Sequence, residues 1–297
     1  MNIFVTGASG YIGGSIASRL ATLGHNVRGL LRNADRSDEL RTYGIEPVIG
    51  TLDDAALLMN EAKVADAVIN AADSDHRIAV ESLLLGLKGS GKRFIHTSGT
   101  SLVGDEALGE LSDDIFTEET PVMPAPDKAA RIAINDLIRD AAPSVHSVVL
   151  CNSMIYGNHL GPRARSVQIP PLVDLAKETG VARHIGRGLN RWSNVHIADM
   201  TDLYLLALEK APAGSFYFVE NGEASFKEIT DAIGKAFGFG PSQDLPPEEA
   251  IARWGRELAV FGLSSNSRVR ADKARTELGW RPVHRSVTDY IMQDMPR

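Results

Sequence analysis

The first residues whose spacing suits chemistry are three glycines near the N-terminus. Gly7, Gly10 and Gly13 lie three residues apart in the string TGASGYIG, between a short β-rich run and a helix-like stretch. In such a turn the first glycine permits a tight bend, the second lets the backbone approach a pyrophosphate, and the third lets the helix pack closely on the sheet. The free N–H groups at the helix start then face the phosphates. The context predicts a dinucleotide site formed by Gly7, Ser9, Gly10, Tyr11, Ile12 and Gly13.

The elements that must position this turn alternate between strand-like and helix-like stretches. The expected strands cover residues 2–6, 27–31, 47–49, 67–70, 93–97 and 147–151, with helices at 11–23, 53–62, 75–87 and 126–141. After residue 156 a loop rich in Gly, Pro and Arg interrupts the alternation, which resumes with a helix at 199–210 and a strand at 215–219. Strands joined by helices require right-handed crossovers and a parallel sheet. The sequence therefore predicts an α/β fold with a doubly wound parallel sheet of the Rossmann type.

Composition narrows the class of partner. The chain has 297 residues, 43% of them hydrophobic and 23% charged, with a net charge of −7. That charge argues against nucleic acid or an anionic membrane as the main partner, because both require a basic face. A single cysteine, Cys151, suits a reducing compartment, and the first residues lack the basic region of a signal peptide. We expect a cytoplasmic protein with a small-molecule substrate and, since its histidines show no ligand spacing, no metal.

Several segments resemble one family in the same order along the chain. The turn TGASGYIG resembles the T-G-A-x-G-x-x-G turn of the extended short-chain dehydrogenases/reductases, and FIHTSGTSLVGD resembles the loop after their fifth strand. MIYG, VHIADMTDLYLLALE and ELGWRP resemble their later motifs. The resemblance implies a Rossmann domain, here residues 1–157 plus about 190–220, and a smaller substrate domain, about 158–189 plus 221–297.

The end of the second predicted strand indicates the cofactor. NAD-preferring proteins carry an acidic residue there that bonds to the ribose hydroxyls. This chain has Leu31 and Arg32 instead, with no carboxylate before Asp35, and Arg32 lies 19 residues after Gly13. The stretch VRGLLR resembles NADP-using reductases of the flavonoid type. NADP(H) is therefore the expected cofactor, with NAD(H) as the alternative, unless Arg32 is only a solvated residue at a strand end.

Other cofactor contacts follow from the resemblance. The family usually has an aspartate after the third strand that contacts adenine, and this chain has Thr51 and Leu52 there. Asp53 is expected to be a helix N-cap. Ala71 and Ala72 match the small residues beside the nicotinamide ribose, and Ser153 is a further expected contact.

The catalytic motif is the main departure from the family. Its members use Tyr-x-x-x-Lys on a helix, and the apolar pattern places Asp127 at the tyrosine position and Arg131 at the lysine position. No tyrosine lies between Tyr43 and Tyr156. Asp127 would be ionised at neutral pH and a poor proton donor, so a salt bridge with Arg131 one helical turn away is an equally good interpretation. Arg131 is expected to hold the nicotinamide ribose, as the family lysine does.

The source of a proton therefore stays open. The family's serine falls on Gly99, which is flanked by Ser98 and Thr100. These hydroxyls, water, or the substrate-side residues Tyr156 and His159 are the alternatives.

Three functions are compatible with this pattern. The first is an NADP(H)-dependent oxidoreductase acting on a small carbonyl or alcohol. The second is a non-catalytic dinucleotide sensor, and the third is a nucleotide-sugar epimerase or dehydratase. Trp192 stands where sugar-nucleotide enzymes commonly carry an arginine for the substrate phosphate, although Arg191 is adjacent.

The helices at 75–87 and 126–141 are apolar on more than one face, which predicts a homodimer through these two helices.

Overall fold

The predicted alternation builds a parallel sheet in the computed structural model, which describes residues 1–123 and 125–296. The strands are β1 (Asn2–Thr6), β2 (Asn26–Leu31), β3 (Ile45–Ile49), β4 (Ala67–Asn70), β5 (Arg93–Gly99), β6 (His146–Asn152), β7 (Met154–Tyr156), β8 (Arg183–Ile185), β9 (Arg191–His196), β10 (Ser215–Val219), β11 (Glu223–Ser225) and β12 (Gln243–Leu245). Seven of them form one sheet in the order β10-β6-β5-β4-β1-β2-β3, and every pair is parallel. The order reverses between β1 and β4, which brings the glycine turn beside the end of β4.

Helices cover both faces of this sheet. They are α1 (Tyr11–Thr22), α2 (Ser37–Thr42), α3 (Ala55–Val64), α4 (Arg77–Leu87), α5 (Ala129–Asp140), α6 (Ile169–Thr179), α7 (Ile197–Lys210), α8 (Phe226–Phe237), α9 (Pro247–Arg256), α10 (Asp272–Leu278) and α11 (Val287–Gln293), with a π-helical segment at Glu257–Leu263. Buried side chains of α1 and α7 cover one face, and those of α3, α4 and α5 cover the other. None of the described helices has the length and apolar character needed to cross a membrane.

A second apolar core lies outside the main sheet. It gathers side chains from β7, α6, α8, α9 and α11, together with Trp192 of β9. Three-residue strands dominate this part: β9 pairs with β7 and β11, and β12 pairs with β8. The division of the chain near residues 157, 190 and 220 stays a prediction, and the two cores are the features that favour it.

Two helix starts differ from the sequence expectation. Asp53 is not the cap of α3, because the N-cap position is Asp54, whose carboxylate accepts the backbone N–H of Thr51 at 2.8 Å. The Asp53 carboxylate lies 3.2 Å from Nε2 of His76 instead. The stretch expected to be helical from residue 126 begins with a 3₁₀ turn, Pro126–Lys128, and its α-helix starts only at Ala129.

Candidate functional site

The glycine turn is shaped to receive a phosphate. Gly7 has φ +71°, and a Cβ added there would lie 2.5 Å from the carbonyl oxygen of Ala71. The N–H of Gly10 donates to the Gly7 carbonyl at 2.8 Å, and Gly10 is the N-cap of α1 without a side-chain cap. Uncapped N–H groups at a helix start attract anions. These features fit the pyrophosphate of a dinucleotide.

Two arginines follow β2 beside this turn. Arg32 is exposed immediately after the strand. Arg36, which the sequence reasoning missed, donates through Nη1 to the carbonyl oxygen of Ser9 at 3.4 Å and through Nε to Glu39 at 2.7 Å. Its spacing of four residues from Arg32 was the available signal, because a short turn after the strand brings the second arginine back toward the glycines.

The expected cofactor residues after β3 and β4 differ in position, because Ala71 and Ala72 line a cavity and Thr51 and Leu52 do not. The Thr51 N–H is held by Asp54, and Leu52 packs against the core under α3 and α4. The N–H of Ala71 donates to Oγ1 of Thr6 at 3.1 Å, which fixes the end of β4 against the end of β1. The turn and the β4 end therefore form one continuous rim.

A cavity of about 460 Å³ begins at this rim. On the side of the glycine turn it is lined by Tyr11, Ile12, Ala71 and Ala72. It continues past the end of β5 to the end of β6, where Ser153 is buried and donates its hydroxyl to the Val219 carbonyl at 2.7 Å. Cofactor-side residues and hydroxyl groups thus share a single space.

Besides Thr97, three hydroxyl side chains line this cavity at the end of β5. Ser98 Oγ accepts from Nδ2 of Asn135 at 3.1 Å, and Thr100 Oγ1 accepts from Ser267 at 2.8 Å. Ser98 and Thr100 are buried, whereas Ser101 is only partly buried. Ser101, which the sequence reasoning passed over, is therefore the most accessible of the three.

Arg131 approaches Ser101 from α5. Its Nη1 donates to Ser101 Oγ at 2.6 Å, and its Nε donates to Asp75 at 2.7 Å. Burial opposes the positive charge, but the hydrogen bonds to Asp75 outweigh it and raise the pKa of the Arg131 guanidinium. The same hydrogen bonds hold the pKa of Asp75 below its usual range. A cation thus polarises the hydroxyl that faces the cavity.

The interpretation of Asp127 and Arg131 as a salt bridge was wrong, because Arg131 pairs with Asp75. Asp127 lies in the 3₁₀ turn before α5, so it is not one α-helical turn from Arg131. Its carboxylate lies 3.8 Å from Nζ of Lys128, and its side chain is 44% exposed. Asp127 is not among the residues that line the cavity. The carboxylate at Arg131 is Asp75, from the loop before α4.

The structure places Tyr156 and His159 away from the hydroxyls. They line a second cavity of about 270 Å³ that shares Tyr11 and Ser166 with the first. The Tyr156 hydroxyl donates to the His284 carbonyl at 3.2 Å, and Nδ1 of His159 lies 2.7 Å from the Gly161 carbonyl. Tyr156, at the end of the short strand β7, packs in the second core, whereas the side chain of His159 is exposed. Neither reaches the cavity at Ser101.

Two nearby groups that look reactive are inert. Cys151 is fully buried on β6, and burial raises the pKa of its thiol to about 12. Tyr204 on α7 donates to Thr97 Oγ1 at 2.8 Å, and burial raises the pKa of its hydroxyl. Both remain protonated at neutral pH, and Tyr204 serves to hold Thr97 at the cavity wall.

Comparison with known proteins relates this arrangement to one family. Residues 3–219 match the profile of the NAD dependent epimerase/dehydratase family. Oxidase ucsJ from an Acremonium species is 32% identical over 95% of this chain and 92% of its own. The 4-hydroxy-2-methyl-3-oxo-4-farnesyl-3,4-dihydroquinoline-1-oxide ketoreductase of Stigmatella aurantiaca is 27% identical over 100% of this chain and 97% of its own. The crystal structure of dTDP-glucose 4,6-dehydratase from Bacillus anthracis str. Ames in complex with NAD shares the fold, with a TM-score of 0.77 and 21% identity over 99% of this chain and 94% of that chain.

Proposed function

The chain belongs to the NAD-dependent epimerase/dehydratase family, and we propose that it is an NADP(H)-dependent oxidoreductase acting on the carbonyl or alcohol group of a small molecule. The observation that carries the proposal is the cavity that joins the rim of the glycine turn to the hydroxyls at the end of β5. A dinucleotide on the turn and a substrate at the hydroxyls would share this space. The oxidase and the ketoreductase among the relatives support the same reaction class.

The proposal assigns separate tasks to the two sides of the cavity. Gly7, Gly10 and the start of α1 hold the pyrophosphate, while Ala71 and Ala72 leave room beside the nicotinamide. The nicotinamide, when bound, supplies or accepts the hydride. On the other side, Ser101 donates a hydrogen bond to the substrate oxygen, since its own oxygen already accepts from Arg131.

Arg131 and Asp75 support Ser101 in this role. A guanidinium that donates to a hydroxyl oxygen withdraws electron density from the O–H bond, which favours donation of the proton to a developing alkoxide. Asp75 fixes the direction of the guanidinium through Nε and Nη2. In this proposal Ser101, Arg131 and Asp75 together take over the role of the missing tyrosine and lysine.

Preference for NADP(H) over NAD(H) is part of the proposal. Arg32 is exposed after β2, and the guanidinium of Arg36 lies against the Ser9 carbonyl, so two cations border the turn. A 2′-phosphate adds two negative charges that such arginines bind well. Glu39, a carboxylate on this side, is engaged by Arg36.

Cofactor consumption with a panel of aldehydes and ketones tests the reaction class. We expect the absorbance of NADPH at ~340 nm to fall only when a carbonyl substrate is present. If NADPH binds but no aldehyde or ketone of the panel is reduced, the non-catalytic dinucleotide sensor is favoured instead. A separate incubation with UDP-glucose tests the epimerase alternative, for which the sugar changes configuration without net consumption of cofactor.

Asp127 is expected to be dispensable for this reaction. Asp127→Asn keeps the shape of the side chain and removes the charge, and the residue does not line the cavity. We expect kcat/KM to stay within about threefold of wild type, whereas loss of a real general acid typically costs ~10²- to 10⁴-fold. Steady-state kinetics on both proteins checks this. A decrease of 100-fold or more, with folding and cofactor affinity intact, would refute it.

We also propose that the protein is a homodimer through α4 and α5. Ile78 and Leu85 stand two turns apart on α4, and each is 59% exposed. Leu85→Glu is expected to give a monomer, because a charge in an apolar interface loses its hydration. The control is Val64→Glu at the end of α3, which replaces an apolar side chain that is 67% exposed. Light scattering at micromolar concentration measures both, and a monomeric wild type contradicts the proposal.

A further inference from the structure

Part of the cavity wall is apolar. It is formed by the loop before α6, strand β9, and the chain that runs from α9 into the π-helical segment; three of its side chains, Trp192, Trp254 and Leu258, also pack in the second core. Its side chains are Val167, Trp192, Trp254, Leu258 and Phe261. Together with the hydroxyls at the end of β5, these residues give the cavity one polar part and one apolar part.

Trp192 and Phe261 offer ring surface and not free polar atoms to this part of the cavity. The indole N–H of Trp192 donates to the Ser265 carbonyl at 2.9 Å, so its only polar atom is already satisfied. Phe261 carries the Lys128 ammonium 4.7 Å from its ring centroid. A ligand in this part meets carbon atoms, and its burial there is favourable only if it is itself apolar.

The charges at the cavity are already neutralised. Among the described residues that line it, the two charged ones are Glu257 and Arg131. Glu257 accepts from Nζ of Lys128 at 2.6 Å, and Arg131 is paired with Asp75. A phosphate or carboxylate placed here would lose its hydration without gaining an unpaired cation.

The neighbouring arginine of β9 does not supply that cation. Successive side chains of a strand point to opposite faces, and Trp192 is the one that lines the cavity. Arg191 instead contacts Glu223 at 2.8 Å and Glu228 at 3.3 Å. Two carboxylates therefore hold its guanidinium on the other face.

We infer that the substrate of this site is a carbonyl compound or alcohol with an apolar, aromatic body and no phosphate or sugar-nucleotide group, an inference that rests on the proposed oxidoreductase function. The apolar body lies against Trp192, Trp254 and Leu258, and the reacting oxygen lies at Ser101. Burial of an apolar body in this part of the cavity is favourable. A nucleotide diphosphate would not find the hydrogen-bond donors and cations that its phosphates require.

Binding to the protein saturated with NADP⁺ tests the inference. We expect calorimetry to show that 2-acetylnaphthalene binds at least about 10-fold more tightly than UDP-glucose. Trp254→Ala is expected to weaken the binding of 2-acetylnaphthalene about 10-fold, because it removes one large apolar contact. The matched control is Phe237→Ala, a half-buried aromatic on α8 outside the cavity, which is expected to change the affinity by less than about twofold.

The outcomes separate the two proposals. Tighter binding of UDP-glucose, no binding of 2-acetylnaphthalene below millimolar concentration, or equal effects of Trp254→Ala and Phe237→Ala would overturn the inference while leaving the oxidoreductase function in place. Failure to bind NADP⁺ in the first step would overturn the proposed function and, with it, the substrate class.

Discussion

Replacing Arg131 by alanine is expected to lower kcat/KM for carbonyl reduction by about 10²- to 10⁴-fold, the range that a positioned proton donor contributes. Nη1 of Arg131 donates a hydrogen bond to Ser101 Oγ at 2.6 Å. The same Nη1 would lie 3.5 Å from a Cβ atom added at Gly99, at the end of β5. Removal leaves the Ser101 O–H unpolarised and free to rotate. Ser101→Ala should reduce kcat similarly without changing the dissociation constant of NADPH, because Ser101 is assigned to the substrate and not to the cofactor.

A matched control and a double variant separate this role from a structural one. Arg139→Ala removes an exposed arginine from the same helix and should leave kcat unchanged within about twofold. If Arg131 served only to neutralise Asp75, the double variant Arg131→Ala/Asp75→Ala would recover activity. We expect no recovery, since the hydroxyl still lacks its donor. Recovery in the double variant, or full activity of Ser101→Ala, would contradict the assignment.

The sequence predicted the parts of the molecule that depend on local pattern. Strands β1 to β6 and the glycine turn were identified because alternation, turn residues and helix starts lie within a few residues of each other. Gly7 is an example: its positive φ and its contact with the end of β4 are what the motif implies. Of the predicted site residues on or next to these elements, seven line the cavity, whereas Arg32, Thr51 and Leu52 do not; the seven are Tyr11, Ile12, Ala71, Ala72, Ser98, Thr100 and Ser153.

The partner of Arg131 could not be found in this way. Asp127 was the nearest carboxylate in sequence, and helical spacing made it the natural choice. The actual partner, Asp75, is 56 residues away and reaches α5 only because β4 and β5 are neighbours in the sheet. The 3₁₀ turn that precedes α5 and contains Asp127 was not predictable from the sequence pattern either.

The apolar wall was missed for a similar reason. Trp192, Trp254 and Phe261 come from three separate segments: a strand of six residues, a kinked helix and a π-helical segment. Such short elements carry little periodicity, and their packing is determined by contacts that are distant in sequence. The alternation of Arg191 and Trp192 became informative only when the pairing of β9 was known.

Arg32→Ala is expected to remove the preference for NADPH. If the guanidinium makes a charge-assisted hydrogen bond to the 2′-phosphate, it contributes about 1.5–3 kcal/mol, which corresponds to roughly 10- to 150-fold in affinity. We therefore expect wild type to bind NADPH more tightly than NADH by this factor. Arg32→Ala should weaken the binding of NADPH and leave the affinity for NADH unchanged. Arg36→Ala should weaken both cofactors, since Arg36 also holds the Ser9 carbonyl of the turn.

The control for this experiment is Arg41→Ala on α2. Arg41 is similarly exposed and forms a salt bridge with Asp38 at 2.9 Å, so its removal tests whether loss of any nearby positive charge is sufficient. Each protein is titrated with both cofactors at low and at physiological salt, and the fluorescence change gives four affinities for each protein. A contact with the phosphate should persist at physiological salt, because a direct hydrogen bond is screened less than a distant charge. Equal affinities of wild type for NADPH and NADH, or an equal loss with Arg41→Ala, would exclude Arg32 as the residue that selects the cofactor.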